Sequence, residues 1–168
     1  MKITDVGKSL KRKQQTNFVT MTRPKGKYTK KSHCKACCDK KDGGTFLING
    51  TSFSVKRWDC QHRFVVYVVR CRCRWCKLRP AFYVGETEQR VEDRFRNNRC
   101  IQASTELAAH FRNVHPGVKI HTKIQIYIVS GEIRDVNERV AVQNEWISKM
   151  REAAIFEDTV LNMYPVAL

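Results

Sequence analysis

The most reactive side chains of this 168-residue chain are eight cysteines: Cys34, Cys37, Cys38, Cys60, Cys71, Cys73, Cys76 and Cys100. Two groups are closely spaced, Cys34-Lys-Ala-Cys37 and Cys71-Arg-Cys73-Arg-Trp-Cys76. Thiolates two residues apart can share one tight turn, with both sulfurs about 2.3 Å from a tetrahedral ion. The N-terminal MKITDVGKSLKRK lacks the apolar stretch of a secretory signal, and a reducing compartment disfavours disulfides. The spacing therefore points to a structural Zn2+. Its expected ligands are Cys34, Cys37 and Cys60 with one of Cys71, Cys73 or Cys76. Cys100 stands apart and reads as an ordinary core cysteine.

Charge carries a second chemistry. There are 32 Lys+Arg against 16 Asp+Glu, a formal charge of +16. Residues 1–31 hold ten of those cations and a single Asp, including the run Lys11, Arg12, Lys13. This segment has few aliphatics and no periodicity, and reads as a flexible basic arm that contacts phosphates by counterion release. Arg72 and Arg74, inside the second cysteine group, extend the same chemistry. A polyanion partner is implied, with nucleic acid the default. No run approaches the roughly 18 apolar residues a membrane span requires. A nuclear or other intracellular location, away from membranes, is expected.

The elements that must position these groups follow along the chain. Asn49-Gly50, between alternating apolar residues, predicts a tight hairpin over 44–56. Cysteines at both ends would make it zinc-ribbon-like. Residues 64–70, FVVYVVR, read as a central strand, and 81–85, AFYVG, as its antiparallel neighbour. Helical patterning covers 88–98, then a segment capped by Ser104 and stopped by His115-Pro116-Gly117. Alternating Ile120, Thr122, Ile124, Ile126 and Ile128 predict a third strand over 119–129. The longest helix is expected from Asp135 to near Arg151, with Val136, Val140, Ile147 and Met150 as its apolar stripe. The fold class is thus α/β, a small three-stranded antiparallel or mixed sheet flanked by helices. Three segments are expected: a basic arm over 1–31, a cysteine-rich hairpin over 32–62 and the α/β body over 63–168.

Position 143 interrupts the stripe with Gln143, and a buried polar group is costly unless paired or used. Glu145 lies 200° around the helix from it and should face solvent.

Val65-Val66-Tyr67, then Tyr83-Val84-Gly85-Glu86-Thr87, then Arg94 nine residues beyond Gly85, resembles the GIY-YIG nuclease superfamily. With Cys60 ahead and Arg70-Cys71 between the tyrosines, the string is most similar to the endonuclease domain of Penelope-like retroelements. The likeness spans residues 34–164. Glu106 to Phe111, with His110, is similar to the family's middle helix, Trp146-Ile147 to its "WI", and Leu161-Asn162 to its terminal "GLN".

The resemblance implies cleavage of a DNA phosphodiester with one divalent metal, Mg2+ or Mn2+. Tyr67 would be the general base, aided by a neighbouring cation because a phenol ordinarily titrates near 10. Tyr83 would place a second phenol in the cleft, and Gly85 would admit the backbone. Thr87 and His110 would support, Arg94 would clamp the scissile phosphate, and Asn162 would brace the site or touch phosphate. The family's metal-holding glutamate falls at Gln143, a poorer ligand for a hard dication. Asn98 stands where the family tends to have histidine, with His110 or His115 as replacements. The 16-residue step from Tyr67 to Tyr83 is long for the family, and its extra residues make a basic, zinc-tied loop. The implied function is an endonuclease impaired at its metal position, tied to mobile-element insertion and to a reverse transcriptase or other element component. Its rival is a zinc-containing DNA-binding module without catalysis.

Overall fold

The computed structural model describes residues 44–55, 60–95, 105–156 and 159–162. The basic arm with Lys11, Arg12 and Lys13, the Cys34 and Cys37 pair, Asn98 and Cys100 lie outside them. The described chain is α/β, with one two-stranded and one three-stranded antiparallel sheet plus helices.

β1 (Gly44–Ile48) and β2 (Thr51–Val55) form the hairpin at Asn49-Gly50. Both turn residues have positive φ, 46° and 81°, as a two-residue turn matching the strand twist requires. The hairpin is held by aromatic packing. Phe46 stacks on Phe53 at 5.2 Å and meets Tyr127 at 4.8 Å and Phe82 at 5.6 Å. Burying such a ring contributes roughly 2–3 kcal/mol.

In the larger sheet β3 (Val65–Cys71) lies between β4 (Phe82–Thr87) and β5 (Ile124–Ser130). Its position explains its composition: Val65 to Val69 are all buried because both faces are covered. On one face Val65, Tyr67, Val69 and Cys71 meet α1 (Val91–Phe95) and α2 (Glu106–Val114). On the other, Val66 and Val68 meet the hairpin and α3 (Val136–Ala153).

Several boundaries differ from the sequence reading. The third strand begins at Ile124, because Ile120–Thr122 form a 3-10 turn whose Thr122 hydroxyl donates to the Lys119 carbonyl at 2.7 Å. Ile120 is nevertheless fully buried, so the apolar alternation runs through a turn. α2 is capped by Thr105, one residue after Ser104, with the Thr105 hydroxyl accepting from Ala108 N–H. α3 starts close to the expected place, and Asp135 is its cap, accepting from Glu138 N–H at 2.8 Å. Val136, assigned to the buried stripe, is 47% exposed, and its place is taken by Arg139. Glu145 is exposed and pairs with Lys149 one turn on. Among the described residues, no helix is long and apolar enough to cross a membrane.

Candidate metal centre and tyrosine pair

Cys71 ends β3 and Cys76 sits in the 3-10 turn Trp75–Lys77. His110 lies in the middle of α2, and His115 is its C-cap. The four donor atoms, two sulfurs and two imidazole nitrogens, lie within 4.8 Å of one another. Cys76 Sγ is 3.2 Å from His115 Nε2 and 3.5 Å from His110 Nε2. A tetrahedral zinc with sulfur at about 2.3 Å and nitrogen at about 2.0 Å requires sulfur–nitrogen edges near 3.5 Å, so the donor set fits the ion.

The electrostatics agree with that chemistry. Burial pushes the Cys71 and Cys76 thiols up. Burial, then repulsion from His115, lowers His110 to about 4, and burial also lowers His115. Both rings are therefore neutral imidazoles at neutral pH, the form that ligates, whereas ionised thiolates require a cation between them. The Cys71 sulfur also receives a hydrogen bond from the Cys73 backbone, an outer contact of the kind that orients metal thiolates.

This ligand set differs from the expected one. Cys71 and Cys76 belong to it. Cys73 is buried beside it and is a free thiol, but it is outside the four. Cys60 is buried and its sulfur is disulfide-bonded, so it offers no free thiolate. Among the described residues the group is completed by His110 and His115. His115, the residue at which the helix stops, is only 6% exposed.

The second constellation lies on the same sheet face. Tyr67 is paired across the ladder with Gly85, and Tyr83 with Val69, so both phenols flank the glycine. A Cβ at Gly85 would stand 2.6 Å from Tyr67 Oη and 2.8 Å from Tyr83 Cε1. Only glycine lets the two rings approach this closely. Gly85→Ala should therefore displace Tyr67, which is 1% exposed and cannot swing away, and cost about 1–3 kcal/mol by overpacking. Thermal melts of the two chains check this; equal midpoints would contradict the crowding.

The Tyr83 phenol is pushed above the ordinary tyrosine range by burial first, then by Tyr67 and Glu106. Arg94 opposes the shift and Glu86 adds to it. Tyr83 thus remains a protonated donor at neutral pH. Arg94, in α1, is half-buried and acts on the phenol electrostatically. Thr87 is buried, and its hydroxyl accepts from Gln89 N–H at 3.1 Å.

Gln143 and Asn162 meet instead at the outer edge of β4. Asn162 Oδ1 accepts from Val84 N–H at 2.7 Å, and its Nδ2 donates to the Val84 carbonyl at 2.8 Å. Gln143 Nε2 donates to the same carbonyl at 3.2 Å. Both amides are almost completely buried. Tyr67, Tyr83, Arg94, Gln143 and Asn162 include no carboxylate, so as they stand they do not fit a hard dication.

One residue of this region was absent from the sequence reading. Arg139, one turn before Gln143, is fully buried. Its Nε donates to Glu86 at 2.8 Å and its NH2 group to Glu88 at 2.9 Å. Its NH1 group donates to the carbonyls of Ile133 and Arg134, both at 2.9 Å. The network ties the start of α3 to the residues just after Gly85. Arg72 and Arg74 are exposed in the loop leaving β3. Compared with known proteins, the chain matches no family, no curated protein and no solved structure.

Proposed function

We propose that the chain is a GIY-YIG-type DNA endonuclease domain built around a structural Zn2+, with hydrolysis impaired at the Gln143 position. The observation that carries this reading is the crowding of Tyr67 and Tyr83 against Gly85, with Arg94 acting on the same phenol. In this role the protonated Tyr83 donates to a phosphate oxygen, Arg94 offsets its charge, and Tyr67 would have to lose its own proton to solvent, becoming the phenolate that takes the proton of the attacking water. Asn162 holds the β4 edge in register through both faces of its amide. The zinc clamps the loop after β3 to α2. Mg2+ or Mn2+ would supply the Lewis acid of such a reaction, but no step is assigned to it because the residues present lack a carboxylate for it. A reverse transcriptase or other mobile-element component is the partner this reading implies. A zinc-ribbon-like role for the 32–62 segment rests on Cys34 and Cys37, outside the described residues.

A second reading, a zinc-containing DNA-binding module without catalysis, is favoured by the Gln143 hydrogen bond to Val84. That bond makes Gln143 a satisfied core amide.

Both readings require DNA binding that weakens steeply with salt. If about six phosphates are engaged, log affinity against log salt should fall with a slope near −5. Removing residues 1–31 should flatten the slope without abolishing binding. Fluorescence anisotropy across a salt series checks this, and a slope near zero would leave the +16 charge without its partner.

A further inference from the structure

The loop joining β3 to β4 combines features that neither the candidate metal site nor the tyrosine pair uses. Trp75 is 73% exposed and Leu78 is 85% exposed, the most exposed large apolar side chains among the described residues. They occupy one short turn. Arg72, Arg74, Lys77 and Arg79 surround them, all exposed. From Cys60 to Gly85 the chain has no acidic residue at all. Arg79 also lies over the Phe156 ring at 5.0 Å, which extends the patch to the segment following α3.

Exposed tryptophan on a flexible loop would be a liability, but this loop is pinned. The Cys71 N–H donates to the Ala81 carbonyl at 2.9 Å, and the Arg72 N–H to the Lys123 carbonyl at 2.7 Å. Cys76, directly after Trp75, is one of the four metal-capable residues. Trp75 is therefore presented outward from a turn whose next residue is fixed inward. An apolar plane held in water, ringed by cations, is complementary to a nucleobase between phosphates. A protein partner would need acidic groups to face those cations and a broader apolar area than two side chains supply.

We propose that Trp75 is a base-stacking element that takes an unpaired DNA base, while Arg72, Arg74, Lys77 and Arg79 hold the flanking phosphates. Leu78 packs against the edge of the stacked base or its sugar. The occupant is DNA with a single-stranded stretch beside a duplex. A fully paired duplex keeps its base faces stacked internally and can offer only phosphates. The inference rests on the DNA-binding reading above and names the form of DNA it recognises.

The test compares the full chain with Trp75→Ala and Trp75→Phe, titrated against two labelled oligonucleotides of equal length. One is a continuous duplex and the other carries a short single-stranded gap. A stacked base is worth about 1–3 kcal/mol, so Trp75→Ala should lose roughly 5–150-fold on the gapped DNA. It should change by less than about twofold on the duplex, and Trp75→Phe should retain most of the gapped-DNA affinity because it keeps an aromatic face. Trp75 is exposed, so neither variant should alter the melting temperature. An equal loss on both DNAs, or no loss on the gapped one, overturns the inference and leaves the DNA-binding reading intact. Failure of the parent chain to bind either DNA overturns both.

Discussion

Cys76→Ser, or a strong chelator applied to the parent chain, should lower the melting midpoint by on the order of 10 °C. The loss follows from mass action. An ion bound only by the folded chain, at a free concentration a thousandfold above its dissociation constant, stabilises it by about 4 kcal/mol. In a domain of this size that energy corresponds to a shift of roughly this order. The loss should be uneven. α2 retains Leu107, Ala108 and Phe111 in the core, so the helix should survive. The turn at Trp75–Lys77 and the His115 cap have fewer such contacts and should open first. Hydrogen exchange should then show lost protection at the Leu78 amide, which donates to the Trp75 carbonyl. Elemental analysis after reconstitution should give one zinc per chain, lost in Cys76→Ser and in His115→Ala. A midpoint indifferent to chelation, with less than one zinc per chain, would sink the site.

If the proposed function holds, placing a carboxylate at position 143 should have the largest effect on activity. In Gln143→Glu an oxygen replaces the amide nitrogen that donates to the Val84 carbonyl. Two oxygens would then face each other in a buried place, at a cost of about 1–3 kcal/mol. The variant should accordingly melt below the parent in metal-free buffer and recover when Mg2+ or Mn2+ is added, because a dication between the oxygens removes the repulsion. Plasmid nicking should appear or rise strongly in the same buffer. In that background Tyr67→Phe and Arg94→Ala should each lose activity by roughly a hundredfold or more. DNA binding should change far less, since most of it comes from other cations. If Gln143→Glu binds DNA and metal yet never nicks, the carboxylate belongs elsewhere. If the parent nicks fast and Gln143→Glu is no different, position 143 lies outside the active centre.

What could be read from the residues, and what could not, divides by sequence separation. The continuous β-branched run of β3 announces a strand covered on both faces, and Asn49-Gly50 announces its turn. These are local signals, and the folded chain follows them. The cluster of metal-capable residues is half local. Cys71 and Cys76 declare themselves by spacing, but His110 and His115 come from another element. Five residues along an ideal helix turn the second side chain about 140° from the first, so the two histidines read as facing apart. The C-cap breaks that geometry: at φ −132° and ψ 55°, His115 leaves the helix, and the two rings approach to 4.9 Å between centroids. A histidine inside a helix stop, five residues after another, is the signal that could have found them. Arg139 is harder. A charge on an apolar stripe registers as an interruption, and its partners Glu86 and Glu88 lie some fifty residues away, just beyond the tyrosine–glycine motif.

The segment after α3 also matters for a property unrelated to chemistry. Val160 bridges Phe82 in parallel, and the Leu161 N–H donates to the Phe82 carbonyl at 2.7 Å. The Asn162 side chain occupies both backbone groups of Val84, and its own carbonyl receives Arg151. Four residues and one side-chain amide thus serve as a surrogate strand. Without them β4 would present a row of unsatisfied peptide groups beside Phe82 and Val84, a template on which a second molecule could add by edge-to-edge pairing. The short stretch 159–162 therefore covers a sheet edge, and truncation ahead of it should open that edge to pairing between chains.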